Sequence, residues 1–335
     1  MPFRAGPKNL ITDVAGISVG NAADPELKSG TTVVLCDEPA VAGVQVLGGA
    51  PGTRETDLLE PHNSVEAIHA LVLSGGSAFG LDAASGVQAF LREKRIGFEL
   101  GGQIIPLVPA AILFDLINGG NKDWGRYPPY RDLGYQAAEN AGENFELGTK
   151  GAGYGATTSG LKGGLGSAST KLDSGITVGA LVAANPTGSV TVGSTRNFWA
   201  APFEIGDEFG GLGFPDPFPA DAQDLSIKYR LMARAGANTT IAVIATDAVL
   251  TKGAAKRLAI AAHDGFARAI WPTHTPVDGD LVFGLATGKS GVSPSPDTAL
   301  DLYAAAGATM ARAIARAVFS ATKTPNDLFP TWSSR

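Results

Sequence analysis

The sequence predicts a layered α+β protein. Short β-branched and apolar runs are mixed with a few long helical patterns, and the regular strand–helix–strand alternation of a doubly wound parallel sheet is missing. Of the 335 residues, 44% are apolar and only 17% charged, which describes a globular chain with a large core. Forty-four glycines, clustered but without a fixed period, predict tight turns and close backbone approaches.

Thr31–Cys36, Val41–Leu47 and Ala70–Leu73 read as strands, being β-branched or apolar and bounded by Gly or polar residues. Ala78–Arg95 carries Leu81, Ala84, Val87, Phe90 and Leu91 at helical spacing, with Ser77 as its expected N-cap. Ile104–Leu116, apolar and interrupted by two prolines, reads as a buried extended segment, and Asp132–Ala141 as a short helix. Ile176–Ala184 is a strand closed by the turn Asn185-Pro186-Thr187-Gly188, with Val190–Val192 expected to pair back as a hairpin. Phe198–Ala220, rich in Pro, Gly and aromatics, has no periodicity and reads as a long surface loop. Ile241–Ala245 and Leu281–Ala286 are strands. Thr251–Ile270, with Thr251 as N-cap, and the Ala-rich Asp297–Thr322 are helices.

Composition narrows the function. A net charge of −6 without a basic tract argues against nucleic acid or acidic lipid as a partner. Cys36 is the sole cysteine, so an internal disulfide or Cys-based metal site is excluded. His62, His69, His263 and His274 lack ligand spacing, and no metal or other cofactor is expected. Residues 1–8 lack a signal-peptide pattern and no apolar run is long enough to span a bilayer, so the expected location is cytoplasmic.

Two glycine motifs fail on context. Gly151-Ala152-Gly153-Tyr154-Gly155-Ala156 resembles a dinucleotide fingerprint but is followed by a poor helix start. Gly75-Gly76-Ser77-Ala78-Phe79-Gly80 misses the nucleophile-elbow spacing by one residue. Asp278-Gly279-Asp280 places two carboxylates before a strand; they either fix a turn or orient a cation. Lys162, set among glycines, either lies on an exposed loop or reaches into backbone-lined space.

Asn238-Thr239-Thr240 precedes a strongly apolar strand. It can be a plain turn. If the Asn238–Thr239 bond is cut, however, Thr239 gains a free amine beside its own hydroxyl, and such an amine can serve as the base for the nucleophile. Its reference pKa, about 7.7–8.0, leaves a useful neutral fraction at pH 7.

Seven pieces stand in order along the chain: the runs 48–57, 73–81, 108–116 and 162–167, then Asn185–Gly188, Asn238–Thr240 and Asp278–Asp280. Together they resemble the self-cleaving L-aminopeptidase/D-esterase family (peptidase S58), closest to the 6-aminohexanoate-oligomer hydrolases. The resemblance spans roughly residues 8–320. It implies a layered αββα sandwich of the N-terminal-nucleophile-hydrolase type, one domain over 1–335 cut into 1–238 and 239–335. Thr239 would be the nucleophile, Asn185 the oxyanion donor, and Lys162, Asp278 and Asp280 a charge network around it. A linear amide, such as a short 6-aminohexanoate oligomer, would be the substrate, and the cleaved pairs would form a homotetramer. Aminopeptidase or D-esterase activity, or an uncleaved binding protein, are the alternatives. Phe114 stands where the oligomer hydrolases carry a Tyr; Tyr154 is a candidate stand-in, and Ser77 a further candidate pocket residue.

Overall fold

The computed structural model describes residues 3–232 and 238–335. The strands are β1 (Ile17–Asp24), β2 (Ser29–Val46), β3 (Thr53–Arg54), β4 (Ile68–Ser74), β5 (Phe98–Leu100), β6 (Gln103–Ile105), β7 (Ala110–Ile112), β8 (Gly164–Lys171), β9 (Thr177–Ala184), β10 (Ile241–Thr246) and β11 (Leu281–Ala286). The helices are α1 (Ala83–Glu93), α2 (Tyr130–Glu139), α3 (Lys228–Met232), α4 (Lys252–Ala267) and α5 (Pro296–Phe319).

The strands form two faces of a sandwich joined by β2. Its second half pairs with β11, which runs parallel to β10, and β9 and β8 follow antiparallel. Its first half pairs with β1 and β4, and β7 and β3 complete that side. The register slips between Leu35 and Ala40, where the exposed Asp37-Glu38-Pro39 lets the strand change sheets.

Three apolar layers follow. Ile241, Val243 and Ala245 of β10, with Leu281, Phe283 and Leu285 of β11, face Val34, Leu71 and Leu73 across the sandwich. The alternate residues Ala242, Ile244 and Val282 turn outward against α4 and α5. Val33, Ala70 and Val72 meet α1 and α2 in the third layer. A strand covered on both faces reads as one continuous apolar run, which is how these strands stood out in the sequence. The layers are αββα. Gly284 shows one use of the glycines: a Cβ there would lie 2.1 Å from the Ala255 carbonyl oxygen, so its absence lets α4 rest on the sheet.

Several elements depart from expectation. The segment after Gly76 begins as a 3₁₀ turn over Ser77–Asp82; Ser77 has φ +52° and makes no side-chain cap bond. Val190–Val192 does not fold back on β9. Thr191 within it bridges to Phe198 and the preceding Ser189 to Trp271 instead, because β8 and β10 already occupy both edges of β9. Only Ala110–Ile112 of the proline-interrupted segment joins the main sandwich, while Gln103–Ile105 makes an outlying hairpin with β5. Within the aromatic loop, Phe198 and Phe209 are buried with Trp332, and Glu208 pairs with Arg312, so this stretch is packed down rather than free. Thr251 does cap α4, accepting the Ala254 amide. No helix among the described residues is long and apolar enough to cross a membrane.

Candidate functional site

Three motifs far apart in sequence meet where three neighbouring strands begin or end. β10 starts at Ile241 and β11 at Leu281, paired in parallel register, so Asn238 bridges to Asp278. β9 ends at Ala184 in antiparallel register with β10, and its next residue, Asn185, accepts the Thr239 N–H on its backbone oxygen at 3.1 Å. Asn238, Thr239, Thr240, Asn185, Asp278 and Asp280 are all buried.

The scissile group of the anticipated reaction is held from two sides. The Asn238 carbonyl oxygen accepts the Thr239 hydroxyl at 2.5 Å and the Gly279 N–H at 2.9 Å. A Cβ on Gly279 would sit 2.7 Å from Thr239 Oγ1, so the residue between the two aspartates leaves room for the hydroxyl.

The aspartates act on backbone. Asp278 Oδ1 accepts the Thr187 N–H, and its Oδ2 accepts the Thr275 N–H and hydroxyl. Burial and the neighbouring Asp280 push its pKa up. Asp280 Oδ1 accepts the Thr240 N–H at 2.8 Å, and its Oδ2 takes the Thr273 hydroxyl, the His274 N–H and His274 Nδ1. With these contacts made, both carboxylates fix the loop that presents Gly279.

Two histidines without ligand spacing belong to this network. His274 Nε2 lies 3.2 Å from His263 Nδ1, whose Nε2 lies 3.0 Å from the Gln45 carbonyl oxygen. The carbonyl requires a proton on His263 Nε2, so Nδ1 of the neutral ring is the acceptor. Burial lowers the His263 pKa to about 4.

Asn185 is oriented from three directions. Its Oδ1 accepts the Thr157 N–H at 2.9 Å and Lys228 Nζ at 2.9 Å, which leaves Nδ2 to donate to the Phe114 carbonyl at 3.0 Å. Lys228 also reaches the Thr157 and Asn185 carbonyl oxygens, at 2.7 and 3.2 Å. It is buried, and desolvation pulls its pKa to about 7. Sequence reasoning missed Lys228. A Lys one step beyond Ile227, in a polar stretch, carries no motif, and only its burial marks it.

Lys162 is elsewhere, which corrects the expectation that it faces Asp278 and Asp280. Its ammonium binds both oxygens of Asp327 at 2.9 Å and the Thr324 hydroxyl at 2.8 Å. Asp327 comes from the segment after α5, so nothing near Lys162 in sequence announced the pairing. Tyr154 lines the cavity beside that ion pair, with Lys28 and Asn118. Phe114 lines the neighbouring cavity with Asp115, Asn118, Lys228, Tyr229 and Asn238, whereas Ser77 and Tyr154 do not. That cavity is about 20 Å³ in the intact chain, room for about one water.

The Peptidase family S58 model matches residues 9–327. The chain belongs to peptidase family S58. An uncharacterized aminopeptidase of Mycobacterium tuberculosis is 45% identical over 333 residues, covering 93% of each chain. A 6-aminohexanoate-oligomer endohydrolase of a Kocuria strain is 29% identical, covering 88% of this chain and 80% of its own. The solved L-aminopeptidase D-Ala-esterase/amidase from Ochrobactrum anthropi, described as a variant of the Ntn-hydrolase fold, superposes with a TM-score of 0.70 at 23% identity. It covers 97% of this chain and 90% of its own. This S58 member is an aminopeptidase-type hydrolase acting on amide bonds.

Proposed function

We propose that this S58 hydrolase cleaves itself between Asn238 and Thr239 and then uses Thr239 as an N-terminal nucleophile on linear amides. The observation that carries the reading is the Asn238 carbonyl, held between the Thr239 hydroxyl at 2.5 Å and the Gly279 N–H at 2.9 Å. Attack by Oγ1 on that carbonyl would place negative charge on an oxygen already facing a backbone donor. Collapse of that adduct breaks the Asn238–Thr239 C–N bond, which frees the Thr239 amine and leaves Asn238 as an ester on Oγ1; water then hydrolyses the ester, releasing the Asn238 carboxylate and restoring the Thr239 hydroxyl. In turnover that amine takes the hydroxyl proton and returns it to the departing amine. Asn185, with Nδ2 beside the Phe114 wall of the cavity, is the proposed side-chain donor to the substrate oxyanion. Small-molecule sites are typically several hundred Å³, so a cavity of about 20 Å³ fits a precursor whose site opens after cleavage.

Peptide-like amides are the proposed substrates, including aminohexanoate oligomers of the kind named for the 29%-identical relative. Release of N-terminal residues is the second reading, favoured by the 45%-identical aminopeptidases. The decisive experiment is intact mass under denaturing conditions, for the wild type and Thr239→Ala. The wild type should give two species meeting at Asn238/Thr239, and the variant one inactive full-length chain. A cleaved Thr239→Ala protein removes Thr239 as nucleophile.

A further inference from the structure

Lys228 is a buried basic group for which the hydrolytic scheme above has no use. Its ammonium makes three contacts, to the Thr157 carbonyl, the Asn185 carbonyl and Asn185 Oδ1, which account for all three of its protons. All three partners are uncharged. One of them, the Asn185 backbone oxygen, also accepts the Thr239 N–H. The two nitrogens therefore lie within about 6 Å of one another, the span of two hydrogen bonds through one oxygen.

We propose that Lys228 sets the basicity of the Thr239 amine: its ammonium, anchored on the carbonyl that also binds the Thr239 nitrogen, keeps that amine neutral and able to act as base. The inference rests on the self-processing reading, since the amine exists only after cleavage. The physical argument is competition for one proton in a desolvated site. Lys228 offers a proton three fixed acceptors, whereas the amine has the shared Asn185 oxygen. The first proton taken up resides on Lys228, and the second, on Thr239, is opposed by the cation beside it.

Other charged groups surround Lys228 and its neighbourhood. Asp278 and Asp280 approach from the β11 side, Asp115 lines the same cavity, and cleavage adds the carboxylate of Asn238. Arg230 on the same short helix is exposed. These anions favour protonation of both amines, so the order in which the two are protonated follows from the unequal set of acceptors. Lys228 acts through the amine and is a positioning residue, not a catalytic one.

The test is the pH profile of turnover by the cleaved enzyme on a chromogenic linear amide, for wild type, Lys228→Met and Lys228→Arg. Removing the cation raises the amine pKa, so the acid limb of Lys228→Met should move up by about 1–2 pH units, the effect of a like charge some 6 Å away at an effective dielectric near 20. Turnover at pH 6.5 should fall about tenfold or more and recover at alkaline pH, and Lys228→Arg should return the limb toward the wild type. An unmoved limb in Lys228→Met overturns the inference. A second measurement covers a variant that fails to process: reductive methylation of the Thr239 amine in cleaved wild type across pH, against a free Thr peptide, read by the mass of the 239–335 chain. A midpoint at least about one unit below the peptide's supports the inference, and one at or above it overturns it. Failure of the parent reading looks different, as a wild type that never divides into two chains.

Discussion

Replacing Gly279 by alanine puts a methyl group directly beside the Thr239 hydroxyl. The added carbon would lie 2.7 Å from Thr239 Oγ1 and 2.6 Å from the Ala50 carbonyl oxygen, both too close to persist. Ala50 is held, since its own N–H donates to the Asp278 carbonyl at 2.8 Å, so the strain falls on the Thr239 hydroxyl and on the loop carrying Gly279. Overpacking of this kind costs about 1–3 kcal/mol. Any retreat of the loop lengthens the 2.9 Å bond from Gly279 to the Asn238 carbonyl. Loss of one donor to a developing oxyanion typically costs about 10²–10³ in rate. Self-cleavage of Gly279→Ala should therefore slow about a hundredfold or more, followed as the two-chain fraction by intact mass over timed incubation. Thermal unfolding, measured alongside, should show a loss of several degrees and a protein still folded. Cleavage at the wild-type rate would refute the role proposed for the Gly279 N–H at the Asn238 carbonyl.

Asn185→Ala removes the acceptor shared by the Thr157 N–H and the Lys228 ammonium, and the donor to the Phe114 carbonyl. Turnover should fall by about 10²–10³. Stability should fall too, by about 1–3 kcal/mol for each buried partner left unsatisfied, and near-normal kcat would take Asn185 out of the oxyanion role. His263 provides a test by pH. Its folded pKa, about 4, lies below the ordinary 6.5, so its contribution to stability is complete above pH 6.5 and is lost as pH falls toward 4. About 2 kcal/mol should be gone by pH 5. Urea unfolding at pH 7.5 and pH 5 should show a smaller acid loss in His263→Gln than in the wild type, and equal losses would show that the ring is not held neutral.

Much of the layering was legible because its cause is local. Strands β9, β10 and β11 are buried on both faces and so read as unbroken apolar runs. α4 and α5 show helical spacing, and Thr251 caps as its side chain dictates. β1 and β8 were missed. Gly164–Lys171 is mostly Gly, Ala and Ser, small side chains that admit α5 closely and carry little β propensity. Ser77 was misjudged as a cap, because a hydroxyl before an apolar run looks the same whether the chain enters an α-helix or a tight 3₁₀ turn at positive φ.

At the site, the sequence by itself determined the proposed nucleophile and its immediate neighbours. Asn238-Thr239 and Asp278-Gly279-Asp280 lie at strand starts, where short motifs and turn chemistry act over a few residues. Which cation stands beside them was decided only by tertiary structure. Lys162 and Lys228 are both isolated lysines with no periodic signal. One meets Asp327 and the other meets Asn185, because those partners arrive from segments 165 and 43 residues away. The same holds for His263, which the packing of α4 against the sheet brings to His274, itself a near neighbour of Asp280 in the chain. Burial converts such ordinary side chains into strongly perturbed ones, and burial belongs to the packed chain rather than to the order of its residues.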